Sequence, residues 1–302
     1  RRQAYLQLEG PVTPTSLTLE DIVQKTPDLP TIPAAAIAVM RETESATGTA
    51  TSVAHHLAQD QALTARVLRL ANSAYYGLQR QVMDLQEAVV VLGMRSVRNL
   101  AMVAATYPWL SKPLKGYGLG PKEMWTHSFG TAVGAQLVAK RARLQELDTM
   151  FTAGLVHNMG KVALSIWLEN KIPAMLALAS RDNLTFDQVE RKLLGYDHAE
   201  VGAYMADQWN LPRPLTQAIR YHHQPAECPD DNPIVDCVHI GDFLTMSMGF
   251  GLGGDGLRYD FHEETLKRIG LDASVFDELA CSFVDTVDEY EKLFMEMQKE
   301  AA

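Results

Sequence analysis

The chain has 302 residues, of which 47% are hydrophobic and 21% charged, with a formal net charge of −10. That length suits one large domain or two ordinary ones with ample core, and the acidic balance argues against a broad nucleic-acid surface, which needs clustered Lys and Arg. No apolar run approaches the roughly 18 residues of a membrane span, and Cys228, Cys237 and Cys281, without C-x-x-C spacing, fit a reducing cytoplasm.

Residues 1–16, with Gly10, Pro11 and Pro14, read as a tail; the chain starts at Arg1 without a signal-peptide core, which leaves room for an upstream regulatory domain. Thr18 caps a short helix, and Pro33 suits the first turn of the next, over 34–44. Residues 49–59 are helical. Asp60 then caps a helix in which Leu63, Val67, Leu70 and Ala71 mark one buried face. Asp84 and Glu87 open a helix to Leu92, Gly93 breaks it, and 95–109 follows. The reading is of an N-terminal module of five short helices over 17–110. Arg66, Arg69, Arg80, Arg95 and Arg98 make 60–100 locally basic; helix-surface charge is the plain reading and an anionic contact the alternative.

Residues 111–121, with Pro113, Gly116, Gly118, Gly120 and Pro121, read as a linker. A helical bundle over 122–302 follows. Helices are predicted over 122–143 and 148–170, from a capping box at Thr185–Gln188, over 198–209, from Pro212 to the stop at Pro225, over 232–248 and over 272–299. No alternating pattern of useful length occurs, so the fold class is all-α. Gly249–Gly254 spells G-x-G-x-x-G but lacks the strand before and helix after that a nucleotide loop needs, and reads as a flexible connection.

The chemistry concentrates around Met150–Lys161. This stretch is apolar until His157, Asn158 and Lys161, and buried polar groups of that kind need partners. Upstream lies His127, with Glu123 one turn before it; downstream lie His198, His222, His223 and Asp242. A divalent metal could gather these imidazoles and carboxylates at the centre of a bundle, with Lys161 beside an anion. Alternatively the histidines bond only one another, and Asp242 orients one of them. His222 and His223 are about 100° apart on a helix and can both ligate only near its end. His55, His56 and His239 read as ordinary surface or core histidines.

His157-Asn-Met-Gly-Lys161 resembles the His-Asp-x-Gly-Lys signature of the HD superfamily of metal-dependent phosphohydrolases, with Asn158 in the aspartate position. The order Glu123, His127, His157–Asn158, Lys161, His198, His222–His223, Asp242 is similar to the ligand order of its HD-GYP phosphodiesterase branch. Leu29-Pro-Thr-Ile-Pro33, Asp60–Ser73 and Ala88–Asn99 resemble the HDOD family, HD-related output modules of bacterial signalling usually regarded as non-catalytic. The resemblance implies a regulatory, cytoplasmic helical protein with a degenerate metal site for iron, zinc or manganese. The Gly-Tyr-Pro element is absent, since Val-Ala-Leu-Ser follows Lys161, which speaks against cyclic-dinucleotide hydrolysis. The alternative is a metal-dependent phosphohydrolase acting on a nucleotide or cyclic dinucleotide. Arg66 and Arg69, beside an exposed-looking Tyr75-Tyr76-Gly77 turn, are the expected partner surface, because Arg and Tyr suit interface anchors.

Overall fold

Capping chemistry sets most helix starts. Thr18, Thr49 and Asp197 form reciprocal capping boxes, while Asp60 and Asp84 accept from Leu63 N and Glu87 N. A computed structural model describes residues 17–298; the expected tail at 1–16 lies outside them. The N-terminal helices are α1 (Leu19–Lys25), α2 (Ala34–Glu44), α3 (Ala50–Ala58), α4 (Gln61–Ala71), α5 (Leu85–Leu92) and α6 (Met94–Leu110). Then come α7 (Glu123–Arg141), α8 (Leu147–Val156), α9 (Met159–Leu168), α10 (Ile172–Asp182), α11 (Phe186–Leu194) and α12 (His198–Gln208). The last are α13 (Arg213–Tyr221), α14 (Pro233–Ser247), α15 (Glu264–Arg268) and α16 (Phe276–Gln298). The fold is all-α: among the described residues the only sheet-like contact is an isolated bridge between Leu114 and Leu119. No single described helix is long and apolar enough to cross a membrane.

Six helices fill residues 17–110, matching the six segments read from the sequence and not the count of five given to the module. The first of them, α1, packs on the C-terminal helices, where Trp167 Nε1 donates to Thr26 Oγ1 (3.1 Å) and Tyr196 Oη to the Leu17 carbonyl (2.9 Å). Helices α2–α6 pack around Val39, Met40, Leu57, Leu63, Val67 and Leu100, each at most 1% exposed, within one core cluster that continues into the later helices. Burying each such side chain contributes about 1.5–3 kcal/mol. Arg98 of α6, 3% exposed, ties these helices to α8, its guanidinium donating to Glu44 (2.9 Å) and Thr149 Oγ1 (3.3 Å).

Residues 111–121, expected to be a linker, join α6 to α7 with part of their length buried. Leu114, Gly116, Tyr117 and Leu119 are buried. Gly116 N donates to Ser165 Oγ (3.0 Å), and a Cβ at Gly116 would stand 2.1 Å from the Ser165 carbonyl oxygen. The glycine there serves close packing on α9, which composition alone cannot distinguish from flexibility.

The Tyr75–Tyr76 turn is likewise not exposed. Tyr75 stacks on Tyr290 of α16 at 4.6 Å between ring centroids, Tyr76 meets Tyr75 edge-on at 4.8 Å, and both are half-buried. Arg66 braces α4 on α6 by donating to the Ala104 carbonyl (2.8 Å), whereas Arg69 is exposed. The sequence offered no sign that a residue more than 200 positions away would cover this turn.

Candidate metal centre

The helix expected over 148–170 is broken. It stops at Val156 and restarts at Met159, leaving His157 and Asn158 at the join between α8 and α9. Small residues let the neighbouring helices close around that break. A Cβ at Gly160 would lie 1.9 Å from the His198 carbonyl oxygen, and one at Gly241 of α14 would lie 2.5 Å from Ala135 N of α7. These approaches bring together His127 on α7, His198 at the first turn of α12, and Asp242 on α14. His222 and His223 follow the last residue of α13, at the helix end where both can face one centre. The loop at 249–254, expected to be a flexible connection, is seated on α7. Gly251 adopts φ +62°, and a Cβ there would meet Glu123 O at 2.3 Å. The Phe250 carbonyl accepts from His127 Nδ1 at 3.4 Å.

One pattern runs through these histidines. His157 Nδ1 donates to Gly154 O and His222 Nδ1 to Ile219 O, both at 2.7 Å, and His198 Nδ1 donates to Glu190 Oε2 at 2.7 Å. A carbonyl can only accept, so Nδ1 carries the proton and Nε2 keeps its lone pair in His157 and His222. The Nε2 atoms converge in two groups. In the first, His127 and His157 Nε2 stand 2.9 and 3.6 Å from Asp242 Oδ1. In the second, His198 Nε2 and His223 Nε2 are 3.0 Å apart with His222 alongside. Within each group the donor atoms all lie within 4.8 Å of one another, and the His157 and His222 rings, 4.9 Å apart and edge-on, adjoin the two.

His157 Nε2, His222 Nε2, Asp242 Oδ1 and Asn158 Oδ1 are buried without a hydrogen bond. Asp242 Oδ1 is close to His127 Nε2 but not aligned with it as an acceptor. Each unpaired buried polar atom costs about 1–3 kcal/mol, so this collection is unfavourable unless a cation satisfies it. Burial pushes the His157 pKa down and those of His222 and His223 well below the usual imidazole value, which keeps all three neutral. Burial alone would raise Asp242, but His127 and His157 beside it hold its carboxyl well below the usual range. Neutral imidazoles with one ionised carboxylate are the protonation states a divalent metal requires. The residues present fit such an ion.

Asn158 joins the cluster, its Nδ2 3.1 Å from His127 Nε2, but brings no charge. Lys161, 4% exposed, lies 5.6 Å over the Tyr117 ring and lines a pocket of about 280 Å³ that opens onto His127, His198, His223 and Asp242. Glu123 does not join. It is exposed at the first turn of α7, where its carboxylate accepts from Gly120 N at 2.6 Å.

Two contributors were missed in the sequence. His239, read as an ordinary core residue, is fully buried and holds the His222 carbonyl through Nδ1 at 2.7 Å. Glu190, fully buried, anchors His198. Its signal was available: it lies on the α11 face that buries Phe186, Val189 and Leu193, where a carboxylate has no business unless it is paired.

A helical bundle that gathers these histidines, an Asp and a His–Asn helix junction defines an HD-type fold. The chain belongs to the HDOD domain family, whose sequence profile matches residues 29–225. It is similar to an HDOD domain protein of unknown function from Geobacter sulfurreducens, with 27% identity and a TM-score of 0.72 over 91% of this chain and 96% of that one. It also resembles a provisionally assigned phosphohydrolase from Shewanella amazonensis SB2B, at 26% identity and a TM-score of 0.65 over 93% and 98% of the two chains. An uncharacterised protein of Treponema pallidum is 26% identical over 240 residues, 79% of this chain but 45% of that protein. The chain thus spans about half the length of that relative.

Proposed function

We propose that this protein is a signalling output module of the HDOD type, non-catalytic, whose bundle binds a divalent metal as a structural or sensing element. The observation that carries the reading is the set of buried, unbonded Nε2 and carboxylate atoms whose opposite ring nitrogens are already anchored to the fold. His127, His157 and Asp242 would hold the ion most firmly, since they alone supply a negative charge; His198, His222 and His223 form a second, neutral set. The nitrogen-rich donors favour zinc or iron over magnesium or calcium. When bound, the metal supplies a Lewis-acidic centre at the floor of the Lys161 pocket. Asn158 argues against hydrolysis, because a neutral amide cannot bridge two cations through two anionic oxygens.

Elemental analysis of the purified protein, paired with a generic phosphodiester assay, tests this. About one equivalent of transition metal and no turnover are expected; protein that carries no metal after incubation with zinc and iron(II) overturns the binding reading. Phosphodiester hydrolysis would favour the second reading, a metal-dependent phosphohydrolase, which draws support from the Lys161 pocket and the Shewanella relative.

Of the expected partner residues Arg66, Arg69, Tyr75 and Tyr76, we propose Arg69, the exposed member, as the point of partner contact. Charge reversal at Arg69 should reduce recovery of bound proteins in pull-downs from source-cell extract several-fold, and an unchanged profile removes this surface from the reading.

A further inference from the structure

Among the imidazoles whose Nδ1 anchor is described above, His198 differs in what holds it. His127, His157 and His222 give Nδ1 to backbone carbonyls, whereas His198 gives it to a carboxylate. Glu190 is fully buried and receives three donors: His198 Nδ1 at 2.7 Å and His198 N at 2.8 Å on Oε2, and Tyr117 Oη at 2.5 Å on Oε1. Burial pushes the Glu190 carboxyl up to about 8, against which the donors on both oxygens and the nearby Lys161 ammonium pull toward the ionised form. A carboxylate behind a ligating imidazole fixes its tautomer and raises its basicity.

Tyr117 comes from a different part of the chain than Glu190. It lies in the buried connection between the modules, on the short turn Lys115–Tyr117 that runs across α9. Gly116 bonds Ser165 of that helix, and Lys115 pairs with Glu169 just past its end at 3.1 Å. A continuous hydrogen-bonded route therefore leads from the inter-module connection through Tyr117 and Glu190 to His198 Nε2, the atom facing His223.

We infer that Glu190 and Tyr117 are positioning residues that make His198 the strongest donor of the all-histidine group, and that they tie the inter-module connection to occupancy of that group. The inference rests on the metal reading proposed above. Ordering of His198 by a cation tightens Glu190 on Tyr117 and so steadies residues 115–119. The connection then differs between loaded and empty protein, which gives the N-terminal module a way to register the state of the centre.

The test uses the full chain, Glu190→Gln and Tyr117→Phe. Zinc affinity is read by competition with a chromophoric chelator, ligand field from the visible spectrum of the cobalt(II)-loaded proteins, and backbone hydrogen exchange at 115–119 with and without zinc. Glu190→Gln keeps the shape and removes the carboxyl group, so zinc binding at the all-histidine group, titrated beyond the first equivalent, should weaken about 10–100-fold and the cobalt spectrum should shift. Tyr117→Phe should bind zinc within a few-fold of the parent yet lose the zinc-induced slowing of exchange at 115–119. That pair of results is not what a merely structural hydrogen bond would give, because apo melting of Tyr117→Phe should stay close to the parent. Parent-like zinc affinity and cobalt spectrum in Glu190→Gln overturn the positioning role. Exchange at 115–119 that ignores zinc in the parent overturns the coupling. A parent that binds no zinc or cobalt at all instead overturns the metal reading itself. Should Glu190→Gln fail to fold, Tyr117→Phe decides the coupling and the parent's cobalt spectrum, compared with that of His198→Asn, decides the ligation.

Discussion

Purified His157→Ala protein is expected to carry only trace metal and to melt roughly 10 °C below the parent, the shift that a loss of about 3–5 kcal/mol produces in a chain of this size. Three losses add up. His157 is 0% exposed, so truncation leaves a cavity at the α8–α9 junction. The Gly154 carbonyl loses its donor at 2.7 Å in a buried place. Asp242, ionised and 2% exposed, keeps only His127 of the two imidazoles that hold its charge. Calorimetry with added zinc and with chelator separates the parts. The parent should gain stability from zinc by mass action, and the variant should melt at the same temperature in both. A variant that retains the parent's metal content would show that His157 is a core histidine and that the centre is assembled without it.

Asn158→Asp is expected to push metal content from about one equivalent toward two while lowering the stability of the metal-free protein. The substitution changes volume hardly at all, so packing is not the variable. Asn158 Nδ2 and Asp242 Oδ1 both reach His127 Nε2, at 3.1 and 2.9 Å, so a carboxylate at 158 would stand beside an existing one in a buried site. Without cations, like charges there repel and one must take a proton. With cations, the added charge can bridge the Asp242 group and the all-histidine group. The zinc-induced rise in melting temperature should therefore exceed the parent's by several degrees. Hydrolysis of a generic phosphodiester appearing only in this variant would identify the neutral amide at 158 as what holds the parent back. Unchanged stoichiometry in both this variant and His157→Ala would mark the cluster as a relic held by its own hydrogen bonds.

Much of this was legible in the chain. Caps at Thr18, Thr49, Asp60, Asp84 and Asp197 act within four residues, so they announce helix starts without any tertiary knowledge. The apolar run ending at His157 and Asn158 placed two polar groups in a core, and the resemblance to the HD ligand order named His127, His198, His222, His223 and Asp242 as their partners, together with Glu123, which stays outside. What misled was composition at the connections. Gly116 and Gly251 looked like flexibility, yet each is the small residue that a backbone needs to approach another closely. The helix break at 157–158 was hidden because both flanks are apolar and helix-forming, with no Gly or Pro between them.

The sequence by itself determined that the chain is all-helical, and it named His127, His157, Asn158, His198, His222, His223 and Asp242 as one candidate set in which Asn158 is uncharged. The helical reading depends on caps and short-range periodicity, which the chain carries locally, and the candidate set on its resemblance to the HD signature and ligand order. Only the tertiary structure decided which nitrogen of each ring faces inward, that Glu123 stays outside, that Glu190 and Tyr117 stand behind His198, and that Tyr290 covers Tyr75. Each of these is a contact fixed to within an ångström between segments tens to hundreds of residues apart. Such contacts are selected by the packing of whole helices against one another, and no local pattern encodes them.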